Sequence, residues 1–91
     1  MAKPEEIIEV FTGIKDPLEM KKLFREIFTP KEINDLSLRW QLMKMLTDNI
    51  PQRRIAKTLG ISLCKITRGA KILKERDSVA KKILTASKDR S

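Results

Sequence analysis

A chain of 91 residues with a net charge of +8 makes one domain with a modest core, and at this size surface is commonly borrowed from a second subunit. One cysteine and no histidine exclude an internal disulfide, a Cys/His metal cluster and the commonest general base, so the chain is expected to bind no metal and to be no enzyme. No apolar run is long enough to span a bilayer and no signal peptide precedes the acidic first helix, so the protein is expected in the cytoplasm with no membrane-spanning segment.

Three glycines, four prolines and no tyrosine among abundant Lys, Glu, Leu and Ile predict an all-α fold of about six helices. Ile7, Ile8 and Phe11 recur at helical spacing behind Pro4, with Glu5 and Glu6 suited to the positive helix end, so a short helix stops near Gly13. Asp16-Pro17 restarts the chain as N-cap and first helical residue, and Leu23, Phe24 and Ile27 carry a second helix to about Ile27. Thr29-Pro30-Lys31-Glu32 spells a capping box, in which the Thr29 hydroxyl and the Glu32 carboxylate each accept from the other residue's N–H.

The third helix, about Pro30 to Asp48, carries two apolar stripes: Ile33, Leu36, Trp40 and Met43 on one side, Leu38, Leu42, Met45 and Leu46 on roughly the opposite one. Trp40 is expected in the core. One stripe can face its own subunit, and the other calls for a partner subunit packed across it; burial inside a monomer is the alternative.

Asn49-Ile50-Pro51 links this helix to Gln52–Lys74, with Pro51 near the first turn of the fourth helix. Ile55, Ala56 and Leu59 line one short helix, Gly60 takes the positive φ of a turn, Ile61 plugs the corner, and Ile66, Ala70 and Leu73 line a second helix capped by the Ser62 hydroxyl. That arrangement is a helix-turn-helix. With the inner face so assigned, Cys64, Thr67, Arg68 and Lys71 lie outward at i, i+3, i+4, i+7, where Thr67 and Arg68 can enter a major groove and donate to bases and phosphates. Arg53, Arg54 and Lys57 on the first helix, with Ser62, Leu63 and Lys65 at the start of the second, complete the expected DNA-binding set. A solvated charged face on an ordinary helical hairpin is the alternative. Glu75-Arg76-Asp77 then turns the chain into a last helix, 78–86, capped by Ser78 and carrying Val79, Ile83 and Leu84, ahead of a basic tail over Ala86 to Ser91.

Residues 1–50 hold 8 Lys/Arg against 9 Asp/Glu, whereas residues 51–91 hold 12 against 3. The C-terminal half therefore meets the polyanion, and with no aromatic on its basic face to stack single-stranded bases, the expected partner is double-stranded DNA. The organisation expected is one domain, 1–91, with a dimerisation core over 1–48 and the helix-turn-helix over 51–74.

The run Ile66-Thr67-Arg68-Gly69, with Leu73-Lys74 after it and Gln52-Arg53 and Leu59-Gly60 before it, resembles the tryptophan repressor family, and the likeness extends from about Phe28 to Lys74. The resemblance implies an intertwined homodimer that represses transcription from a palindromic operator, with L-tryptophan or a related aromatic corepressor. It also implies that Arg39 and Arg68 hold an indole between guanidinium planes, with Thr29 and Gly69 contributing to the same pocket. Ile72 stands where the family usually has a serine that engages the amino-acid head group, and Lys65 where it has a small residue. Taken without the resemblance, Arg39 can snorkel to solvent or pair with Asp35, and Arg68 can hold a phosphate. Cys64 is either a small exposed residue of the reading helix or a redox trigger beside Lys65 and Arg68. A ligand-independent architectural DNA binder and a helical module that binds acidic protein are the other two functions compatible with the chain.

Overall fold

Helix starts in this chain are written locally, and the side chains that write them are seen making the bonds. In the computed structural model, which describes residues 1–89, the chain forms α1 (Pro4–Gly13), α2 (Pro17–Ile27), α3 (Pro30–Thr47), α4 (Gln52–Leu59), α5 (Leu63–Lys74) and α6 (Val79–Asp89), with no strand among the described residues. The Asp16 carboxylate accepts from the Leu18 N–H at 3.0 Å to open α2. The expected capping box opens α3: the Thr29 N–H donates to Glu32 Oε1 at 2.9 Å, and the Glu32 N–H donates to Thr29 Oγ1 at 3.2 Å. The backbone bond from Thr29, then its side chain, holds the Glu32 carboxyl below its ordinary value. A carboxyl lowered in the folded state adds stability that is complete at neutral pH and disappears as pH falls through its lowered range.

The chain divides into two compact units, Met1–Asn34 and the remainder from Asp35 onward. In the first, the Phe28 ring lies 4.6 Å from Phe24 and 6.4 Å from Phe11, centroid to centroid. None of its residues is fully buried, and Leu18 and Ile8 are 76% and 56% exposed. The second unit has a core of Leu42, Met45, Ile55 and Ile66, with Leu46, Ile50, Ala56, Leu59 and Ile61 packed around it. Of the two stripes on α3, Leu42 and Met45 are buried, while Leu36 and Trp40 stand exposed, so Trp40 is not a core residue of the single chain.

The links are tighter than the sequence suggests. Asn49 takes φ +62°, and the Asn49 and Ile50 N–H groups donate to the carbonyls of Leu46 and Met45, each at 3.0 Å. An asparagine thus performs the left-handed helix stop usually given to glycine. Gly60 does the same at the end of α4, with φ +65°, and the Ile61 N–H donates to the Ala56 carbonyl at 3.2 Å, turning Ile61 into the corner as expected. Ser78 Oγ accepts from the Lys81 N–H at 3.2 Å, as expected for the cap of α6. That helix runs past Ala86 to Asp89, which takes most of the expected tail; Arg90 and Ser91 lie outside the described residues.

Gly69 marks the close crossing of α5 on α3. It is buried, and a Cβ there would lie 2.5 Å from Leu42 Cδ1, so the Leu42 side chain, itself only 2% exposed, must leave its packed position to admit one. Gly69→Ala is therefore expected to destabilise by about 1–3 kcal/mol through overpacking, although alanine in a helix interior normally gains up to ~1 kcal/mol over glycine. A fall in the urea midpoint, partly recovered by adding Leu42→Val, checks this; a rise would show that Leu42 yields.

Candidate nucleic-acid interface and adjoining pocket

α4 and α5 pack on each other across the Gly60 turn, and α5 divides into an inward and an outward side. Ile66 is fully buried and Gly69 buried, with Ala70 and Leu73 half-buried, so the expected inner face holds and gains Gly69. Cys64, Thr67, Arg68 and Lys71 are all exposed, as are Ser62, Leu63 and Lys65 at the start of the helix. On α4, Arg53, Arg54 and Lys57 are exposed, with Ile55 between them fully buried. The ten residues expected to meet DNA therefore stand on the surface of one helical hairpin, and the cations among them have no acidic residue anywhere from Arg53 to Lys74.

Two hydroxyls depart from expectation. Ser62 has the extended N-cap backbone, φ −73° and ψ 151°, but its side chain makes no cap bond. Ser62 to Lys65 are all exposed, so the first-turn N–H groups of α5 are left to solvent, or to an anion at the positive helix end. Thr67 Oγ1 donates to the Leu63 carbonyl at 2.9 Å, so its proton is spent inside the helix instead of pointing outward as a donor.

Beside this surface lies a hollow of about 310 Å³ between α3 and α5, lined by Arg39, Leu42, Met43, Lys65, Arg68, Gly69 and Ile72. That volume is at the lower end of the range of about 300–1,000 Å³ for small-molecule sites. Arg39, Arg68, Gly69 and Ile72 are thus brought together. Thr29, the fifth residue expected there, belongs to the N-terminal unit, where its hydroxyl accepts the Glu32 N–H in the α3 cap.

The full helical chain, not only this hairpin, matches the family model described as "Trp repressor protein", over residues 3–88. The chain belongs to the Trp repressor protein family. This is a family of DNA-binding transcriptional regulators, not of enzymes. Among its Trp repressor relatives, the Trp operon repressor homolog of Xylella fastidiosa (strain 9a5c) is 35% identical over 83 residues, covering 87% of this chain and 90% of the relative. That of Vibrio parahaemolyticus is 28% identical over 78 residues, covering 85% and 76%. That of Actinobacillus succinogenes is 42% identical over 52 residues, covering 56% and 52%. No solved structure matches this member of the family at comparable strength.

The sequence reading of this Trp repressor family chain missed Leu42 and Met43 as pocket walls, and noted Lys65 there only as a replacement of the family's small residue while counting it among the DNA contacts. On α5, however, Lys65, Arg68, Gly69 and Ile72 form one i, i+3, i+4, i+7 stripe. That spacing was available in the sequence. What it lacked was the partner element, since only the crossing of α3 shows that this stripe is walled.

Proposed function

We propose that this chain, a DNA-binding transcriptional repressor by family, works in the cytoplasm as a homodimer on a palindromic operator, with a flat aromatic corepressor seated between Arg39 and Arg68. The observation that carries the DNA part is the outward side of α5. Thr67, Arg68 and Lys71 are exposed on a helix whose opposite side is buried, while Arg53, Arg54 and Lys57 on α4 flank it. Such a helix can enter a major groove while its neighbours hold phosphates. The dimer is supported by the N-terminal unit, which buries no residue fully, and by the exposed Leu36 and Trp40 of α3. The gating is supported by the hollow, because a ligand gripped by Arg39 of α3 and Arg68 of α5 ties the core to the reading helix. Among the described residues no helix is long and apolar enough to cross a membrane.

Selection from random duplexes tests the proposal. The sites recovered are expected to be palindromes with half-sites about one helical turn, ~34–36 Å, apart, and the protein is expected to sediment as a dimer at micromolar concentration. Thr67→Ala is expected to change the recovered bases but not their twofold arrangement. Asymmetric or single-stranded sites would sink the dimeric reading, and so would a folded monomer.

A further inference from the structure

We infer that Ser62, at the tip of α5, is the hydrogen-bond donor with which this chain reads a guanine in each half of its operator; this rests on the reading-helix assignment proposed above. Two observations meet there. The Ser62 side chain is exposed and makes no cap bond, so its proton is free to give. The Thr67 proton is spent on the Leu63 carbonyl at 2.9 Å, so of the hydroxyls on α5 and its cap only Ser62 still offers a donor.

Charge decides between a base and a phosphate as the acceptor. From Thr58 to Cys64 the hairpin carries no charged side chain, while Lys57 and Lys65 bound this stretch on either side. Within it Ser62, Leu63 and Cys64 stand exposed one after another, Leu63 at 47%. Binding to phosphates draws its strength from Lys and Arg, and the cations of this hairpin surround the tip without occupying it. A tip of hydroxyl, branched alkyl and thiol is instead matched to base edges, which present hydrogen-bonding atoms and the thymine methyl.

Guanine is the base for which the donor is needed. Its major-groove edge shows the acceptors N7 and O6 and no donor, so neither the acceptor-only Thr67 nor the Leu63 alkyl can address it. The Cys64 thiol donates only weakly. Lys65 and Arg68 line the hollow beside α3, and Lys71 stands roughly 13 Å further along the helix axis than Ser62. A reading helix contacts bases through its N-terminal residues, so the donor for guanine falls to Ser62.

Fluorescence anisotropy of the full chain on an operator recovered by selection tests the inference. Ser62→Ala is expected to lower the ratio of operator to unrelated-duplex affinity about fivefold for each half-site, the loss of one neutral hydrogen bond. It is expected to leave the urea midpoint where it was, because no cap is removed. Ser62→Thr, which keeps a hydroxyl, should retain most of the ratio. Replacing one half-site guanine by 7-deazaguanine, which lacks N7, or by 6-thioguanine, whose sulfur replaces O6, is expected to weaken the wild type about fivefold and Ser62→Ala by under about twofold. A urea midpoint lowered by Ser62→Ala would make the hydroxyl a helix cap and overturn the inference. Equal weakening on every duplex would make it a phosphate contact, with the same consequence. An operator ratio indifferent to Ser62→Ala, or guanine replacements that weaken both proteins alike, would overturn the inference while the reading helix stands. If the folded wild type shows no preference among duplexes, the reading-helix assignment falls and this inference falls with it.

Discussion

Ile66→Ala is expected to cost about 2–5 kcal/mol of stability and to take sequence-specific DNA binding with it, the range set by loss of buried methylenes plus the cavity left behind. Ile66 is fully buried at the point where α5 meets Leu42, Met45 and Ile55, so it is the most deeply buried apolar side chain of the inner face and anchors the proposed reading helix. A 91-residue chain has few kcal/mol in reserve, so the loss is expected to leave much of the protein unfolded at 37 °C. Denaturant titration of Ile66→Ala beside Ile66→Val separates the effects. The valine variant should cost about 0.5–1.5 kcal/mol and keep its operator preference. An alanine variant within ~1 kcal/mol of wild type would mean that α5 is not held through this residue.

The second large effect is on salt dependence. If Arg53, Arg54 and Lys57 of each subunit hold phosphates, a dimer makes at least six such contacts, and duplex affinity is expected to fall about a thousandfold or more between 50 and 200 mM salt. Arg53→Ala should weaken all duplexes alike and lower the slope of log affinity against log salt by about 0.9 per contact, close to 2 in a dimer. Lys15→Ala, in the nearly neutral N-terminal half, should leave the slope where it was. Fluorescence anisotropy over a salt series measures both, and a slope indifferent to Arg53→Ala would remove α4 from the interface.

Much of this molecule is written in neighbouring residues. Asp16, the Thr29–Glu32 pair, Gly60 and Ser78 each set a boundary through bonds spanning five residues or fewer, and each was legible because the chemistry needs no knowledge of the rest of the chain. What was not legible depends on what crosses what. Gly69 looks like spare room on one helix until Leu42 of α3 is seen against it, and Lys65 is seen to line a hollow as well only once the same crossing is in view. The Ser62 hydroxyl shows the reverse limit, since its position as N-cap was legible but the bond was not made. Trp40 and Leu36 were placed on an apolar stripe with Ile33 and Met43, yet a single chain leaves these two exposed while Ile33 and Met43 are half-buried.

If Thr67 faces a base edge as proposed, the bond from its hydroxyl to the Leu63 carbonyl limits the alphabet it can spell at that position. With its proton committed, Thr67 offers a base edge only lone pairs and a methyl group. Adenine and cytosine present amino groups to such an acceptor in the major groove, and thymine presents a methyl, whereas guanine shows acceptors alone. Wherever the proposed reading helix sets Thr67 directly against a base, guanine is the one letter it has no means to address.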